Sequence, residues 1–123
     1  MRTLPPLRIL LCEDEPLIRM LLADTLSDQG HHVVEASSAN AALQHDLDSV
    51  DVLVTDIGLP DGSGVELVSA VRIRRPGLPV IYTTGHAEHG LTLDAQSAVV
   101  IKPYRAEQLF EAMARVMDLA TPL

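Results

Sequence analysis

The chain has 123 residues, enough for one domain of ordinary size and too few for two, and its 47% hydrophobic and 21% charged residues allow a core without disulfides. A formal net charge of -8 repels phosphate backbones and anionic lipid, and 2% aromatics with no Trp leave no stacking platform, so neither nucleic-acid nor membrane-surface binding is expected. The single Cys12 excludes an intramolecular disulfide, and neither a spanning stretch nor a signal-peptide core follows Arg2, so a soluble, cytoplasmic protein is expected.

Residues 1–6, with Pro5-Pro6, are a short lead-in, residues 7–119 form the one domain and residues 120–123 a fraying tail. Short β-type apolar runs alternate with longer segments of helical period, which predicts a parallel sheet with crossover helices. Leu7 to Cys12 is the first strand. Pro16 to Gln29 follows as a helix, with Leu17, Ile18, Leu21, Leu22 and Leu26 at helical spacing, Pro16 at the first position and Gly30 at the exit. His32 to Ala36 is the second strand, Ala39 to His45 a short helix and Val50 to Thr55 the third strand. Pro60-Asp61-Gly62 turns the chain into a helix over Ser63 to Arg75, where Ser63 and Glu66 stand at capping-box spacing. Leu78 to Thr84 and Ala98 to Lys102 are the fourth and fifth strands. His86 to Ser97 between them contains Gly90 and little period. A last helix carries Leu109, Phe110, Met113, Val116 and Met117 on one face.

In such a sheet, ligands bind beyond the carboxyl ends of the strands. There the sequence places Glu13 and Asp14, Asp56, Thr84 and Lys102, the only lysine. Three carboxylates on one edge must be protonated, spread apart or neutralised by a cation. Oxygen ligands of this type suit Mg²⁺, which takes one or two carboxylates, keeps several waters and shares the rest with a phosphate. Lys102 offers a compact positive charge to a phosphoryl oxygen and Thr84 a hydroxyl to another, a set suited to phosphoryl transfer onto a carboxylate.

These residues resemble a response-regulator receiver domain from Leu7 to Met117. The resemblance rests on Glu13-Asp14, on Asp56 followed by Leu59-Pro60-Asp61-Gly62-Ser63-Gly64, on Thr84-Gly85 and on Lys102-Pro103. It implies a doubly wound α/β fold of flavodoxin-like topology, with five parallel strands in the order 2-1-3-4-5 and helices on both faces. It further implies Asp56 as phosphoacceptor from a phosphohistidine of a sensor kinase or a histidine phosphotransfer protein. Asp14 and Asp56 would ligate Mg²⁺ directly, Glu13 through water and Gly58 through its main-chain carbonyl. Thr84 and Lys102 would contact the phosphoryl group, and the Lys102-Pro103 bond is commonly cis in the family. A receiver is no enzyme beyond its own phosphorylation and dephosphorylation. Where the family usually carries Tyr or Phe three residues before the lysine, this chain has Val99. The run Pro79 to His86 is similar to a subgroup marked by a phenylalanine-alanine-threonine-glycine strand end, which also lacks that aromatic. Switching and partner contact are therefore expected around Gly85, His86, Val99 and Tyr104, with reordering of Gly85 to Ala95. The chain ends soon after its last helix, as in a stand-alone receiver or one excised from a longer kinase; the downstream protein partner and homodimer formation stay open.

Other readings weigh less. A dinucleotide-binding turn needs glycines where Cys12-Glu13-Asp14-Glu15 stands, and these acids repel a pyrophosphate. A phosphohydrolase of the haloacid-dehalogenase type would place its nucleophile after the first strand. An interaction module of receiver fold that signals without phosphorylation would need none of the site residues. Asp14 and Glu15 alone would read as helix-terminal acids, Cys12 as a small buried residue, and the histidines His31, His32, His45, His86 and His89 as surface or turn residues.

Overall fold

A computed structural model describes residues 4–85 and 93–120, with side chains described to residue 117. Five strands, β1 (Arg8–Cys12), β2 (His32–Ala36), β3 (Val52–Asp56), β4 (Val80–Thr84) and β5 (Ser97–Ile101), form one parallel sheet in the order β2-β1-β3-β4-β5. The helices are α1 (Pro16–Asp28), α2 (Ala39–Leu43), α3 (Gly64–Arg74) and α4 (Ala106–Ala120). This is the doubly wound topology, in the order 2-1-3-4-5, that the resemblance implies.

The two-residue period of a strand sorts each strand's side chains onto two faces. Ile9, Leu11, Val52, Val54, Ile81 and Val100 point to one layer, closed by Leu26 of α1 and Leu109, Met113 and Val116 of α4. Leu10, Cys12, Leu53, Val80 and Tyr82 point to the other, closed by Ala42 of α2 and Leu67, Val68 and Val71 of α3. A sheet buried on both faces explains why its strands read as unbroken apolar runs. Each fully buried Leu or Ile stabilises the fold by about 1.5–3 kcal/mol.

Strand boundaries move where backbone donors are committed elsewhere. β3 begins at Val52 because the Val50 N–H turns back to the Leu47 carbonyl, closing a 3-10 turn over Leu47–Ser49 that the sequence reading missed. β4 begins at Val80 because Pro79 has no N–H; its carbonyl still accepts from Leu53 at 3.0 Å. β5 is shifted one residue earlier than expected, and the Lys102 N–H extends its ladder to the Thr84 carbonyl at 2.7 Å. The Asp56–Ser63 turn closes with an antiparallel pair, Gly58–Leu59 against Gly62–Ser63.

Helix α1 buries Ala23 and Leu26, while Leu17, Met20 and Leu21 lie on its exposed side. The apolar stripe expected on α1 is thus wider than the face that packs. His31, expected at the surface or in a turn, lies in the connection between α1 and β2 but is buried, and its Nδ1 accepts the Leu7 N–H at 3.1 Å. Arg72 ties α3 to the approach of β5, donating to the Leu78 and Gln96 carbonyls and to Ser97 Oγ, and pairing with Asp94. His86 and most of the Gly85 to Ala95 run lie outside the described residues, as does His89.

Candidate functional site

Parallel register brings the strand ends level. Cys12 pairs with Thr55, Asp56 with Thr83, and Thr84 with Ile101, so the residues at or just past these ends share one edge. Glu13 leaves β1 with its N–H on the Ala36 carbonyl at 3.0 Å. Pro16 starts α1 two residues after Asp14, which keeps the acids in the loop above the sheet. On the neighbouring strand, Ser63 caps α3 by accepting the Glu66 N–H at 3.1 Å, as its spacing predicts. The Gly64 N–H reaches the Ile57 carbonyl at 2.7 Å and folds the loop back under Asp56.

Glu13, Asp14 and Asp56 each offer a carboxylate oxygen, all within 4.8 Å of one another. Lys102 Nζ donates to Glu13 Oε1 and to Asp56 Oδ2, 3.1 Å in each case. The second Glu13 oxygen accepts the Glu15 N–H at 3.0 Å, and Asp56 Oδ1 faces the Gly58 N–H at 3.4 Å. Glu13 is buried, Asp56 half-buried and Asp14 exposed, so the cluster opens to solvent on the Asp14 side. Burial pushes the Glu13 carboxyl above the ordinary carboxylate range, and the Glu15 N–H and Lys102 pull it back only in part. Burial favours the neutral amine of Lys102, yet its bonds to Asp56 and Glu13 outweigh this and raise its pKa.

Thr84 is buried at the end of β4, and exposed Gly85 follows it. The Lys102-Pro103 bond is cis, and Tyr104 beyond it packs on the α1/α4 layer. Burial, with Glu13 and Asp56 nearby, pushes the Tyr104 hydroxyl up to about 12 against the opposing pull of Lys102. Val99 packs instead on the α2/α3 layer, across from Tyr82. Buried Cys12 has its thiol raised to about 11 by burial and donates to the Ser38 carbonyl at 3.4 Å, a structural role.

Two connections were not foreseen from the sequence. Arg19 of α1 donates to the Glu13 carbonyl at 2.8 Å and pairs with Glu35 of β2 at 3.4 Å. Asp61 accepts the Ala39 and Asn40 N–H groups at 2.9 Å each, tying the loop after Asp56 to the start of α2. Neither had a signal in the sequence: the first ends on a main-chain carbonyl, and nothing links residue 61 to residue 39.

Three oxygen donors of this kind fit a small hard cation. Ligand oxygens around one Mg²⁺ stand about 3 Å apart in cis and about 4.2 Å in trans, so a set within 4.8 Å needs little closure, or one water for the buried Glu13.

A doubly wound sheet carrying an acid cluster, a hydroxyl and an ammonium at its carboxyl edge defines the class: a receiver-type signalling domain. The chain belongs to the response regulator receiver domain family, whose pattern it matches over residues 9–114. It is 33% identical over 113 residues to the response regulator protein FleR of Pseudomonas aeruginosa, covering 88% of this chain and 24% of that protein. The chain spans about half or less of the length of such curated relatives. A response regulator receiver domain from Clostridium thermocellum superposes with a TM-score of 0.83 at 27% identity, over 91% of this chain and 94% of that one. The response regulator TrrA of Thermotoga maritima, solved in complex with Mg²⁺-BeF, does so with a TM-score of 0.78 at 27% identity, over 89% and 97%. Among the described residues, no helix is long and apolar enough to cross a membrane.

Proposed function

We propose that this receiver accepts a phosphoryl group on Asp56 from a phosphohistidine of a histidine kinase or histidine phosphotransfer protein, with Mg²⁺ as cofactor. The observation that carries this reading is the Lys102 ammonium held 3.1 Å from both Asp56 and Glu13, within a carboxylate set able to take a divalent cation. Asp14 and Asp56 would hold the ion directly, with the Gly58 carbonyl as third protein ligand and Glu13 acting through water. Bound there, the ion would neutralise charge on the transferring phosphoryl oxygens. Asp56 supplies the attacking oxygen: a P–O bond forms, the P–N bond of the phosphohistidine breaks, and the departing imidazole keeps its electron pair and takes up a proton.

Lys102 has two successive partners in this reading. In the metal-free protein it neutralises part of the acid cluster; with a divalent cation present, its ammonium is free to meet a phosphoryl oxygen, while Thr84 donates its hydroxyl to another. The protein catalyses only its own phosphorylation and dephosphorylation. The added charge of about -1.5 to -2 draws on Lys102 and Thr84, and so on the segments after them, including Tyr104. The TrrA complex with Mg²⁺-BeF supports the chemistry by similarity.

Incubation with acetyl phosphate and MgCl₂, followed by intact-mass measurement, tests this directly. One phosphoryl group should add to the wild type, and none to Asp56→Asn or in EDTA. Full phosphorylation of Asp56→Asn would overturn the assignment, and an unmodified wild type would leave an interaction module that signals without phosphorylation.

A further inference from the structure

We infer that Arg19 is a positioning residue for the cation site, holding the Glu13-Asp14 peptide so that Asp14 faces the site before the ion arrives; this rests on the Mg²⁺ reading above. Glu13 is anchored at every polar group. Its N–H bonds Ala36, its two carboxylate oxygens bond Glu15 and Lys102, and its carbonyl bonds Arg19 Nη1 at 2.8 Å. The Asp14 side chain is exposed, so little packing holds it, and the backbone it leaves from is what can bias it toward the site. The peptide joining Glu13 to Asp14 carries the Glu13 carbonyl, which Arg19 holds at 2.8 Å.

The guanidinium suits this task because it is itself tied down. Its side chain is 21% exposed, and its Nε pairs with Glu35 of β2 at 3.4 Å while Nη1 reaches Glu13. One rigid fork thus joins α1, the end of β2 and the acidic loop. Lysine, with a single ammonium on a flexible stem, keeps the charge but cannot hold both contacts in fixed geometry. Nearby positive charge by itself disfavours a divalent cation, so loss of the charge and loss of the positioning push affinity in opposite directions.

Mg²⁺ titration of the full chain, followed by amide chemical shifts of Asp14 and Ile57, separates these effects. For Arg19→Lys the dissociation constant for Mg²⁺ should rise about five-fold, which converts to about 1 kcal/mol. Phosphorylation by acetyl phosphate at saturating Mg²⁺ should stay within about two-fold of the wild type. For Arg19→Met, affinity should also fall, although removal of the charge alone would raise it. Glu35→Gln, which loosens one arm of the fork but keeps the Arg19 bond to the Glu13 carbonyl, should weaken Mg²⁺ binding clearly less than Arg19→Lys does. Urea unfolding in EDTA checks that each variant is folded, and Arg19→Lys remains the test if Arg19→Met does not fold. Unchanged or tighter Mg²⁺ binding in the Arg19 variants, or an equal loss in Glu35→Gln, would overturn the inference. A wild type whose amides ignore Mg²⁺ would instead overturn the cation reading on which it stands.

Discussion

Gly64 is the position where one added methyl should do most damage to the site. It is the first residue of α3 and is buried, and a Cβ built on it would overlap the Asp56 carbonyl oxygen far inside contact distance. The same Cβ would lie 3.1 Å from the Asp56 carbonyl carbon and 3.1 Å from Ile57 Cα, where carbon pairs prefer about 3.5–4.0 Å. All three obstructing atoms are backbone, and the Asp56 carbonyl lies at the end of a central strand, so relief requires moving α3 or the end of β3. Overpacking of this kind costs about 1–3 kcal/mol, and rigid obstructing atoms favour the upper end. Alanine returns up to about 1 kcal/mol through helix propensity. The net for Gly64→Ala is about 2 kcal/mol of destabilisation, or a melting point lowered by about 6–10 °C at this chain length. Urea and thermal unfolding measure it, with Gly58→Ala as control, since nothing lies within 4 Å of a Cβ at Gly58. The control should stay within about 0.5 kcal/mol of the wild type. Gly64→Ala as stable as the wild type would show that α3 does not press on Asp56 as described.

Three further outcomes follow from other contacts. Met113 is fully buried between α4 and the sheet, and Met113→Ala should cost about 2–5 kcal/mol in urea unfolding. Asp61→Ala removes the acceptor for the Ala39 and Asn40 N–H groups, so hydrogen exchange at those two amides should speed up while the β3 amides stay protected. Burial holds His31 below its ordinary value of 6.5, and protonating Nδ1 would break its bond from Leu7; the contribution of His31 is therefore intact above about pH 6.5 and lost as pH falls through the folded-state pKa. The drop in urea midpoint between about pH 7.5 and about pH 5 should be smaller in His31→Gln than in the wild type.

The fold was legible because its strands lie in a sheet covered on both sides. Such strands leave apolar runs such as Ile9 to Cys12 and Val52 to Val54, whichever way alternate residues point. Helix capping was legible where it is local, as at Ser63 and Glu66. Boundaries shifted where a donor was missing or spent, at Pro79 and Val50, and the 3-10 turn at Leu47–Ser49 is too short to leave any period. On α1, periodicity placed Leu17 and Leu21 on the apolar stripe, although packing uses only the side holding Ala23 and Leu26. A helical stripe records which residues are apolar, and neighbouring elements decide how much of it they cover.

At the site, the residue types were legible and the bonds among them were not. Glu13 and Lys102 are 89 positions apart, and only the register of β1, β3, β4 and β5 brings their side chains together. The sequence reading assigned Glu13 a water-mediated part, yet its side chain is buried and directly bonded to the ammonium. These descriptions belong to different states of charge. The buried Glu13 carboxylate beside Asp56 needs a cation, and Lys102 stands 3.1 Å away; in the proposed function a divalent ion would meet that need and the ammonium would turn to a phosphoryl oxygen. Arg19 escaped notice for a related reason. Its partner is a main-chain carbonyl, which every residue carries, so no pattern of side chains announces the contact. A site built by side chains can be guessed from residue types at strand ends, whereas the backbone bonds that aim those side chains require the fold itself.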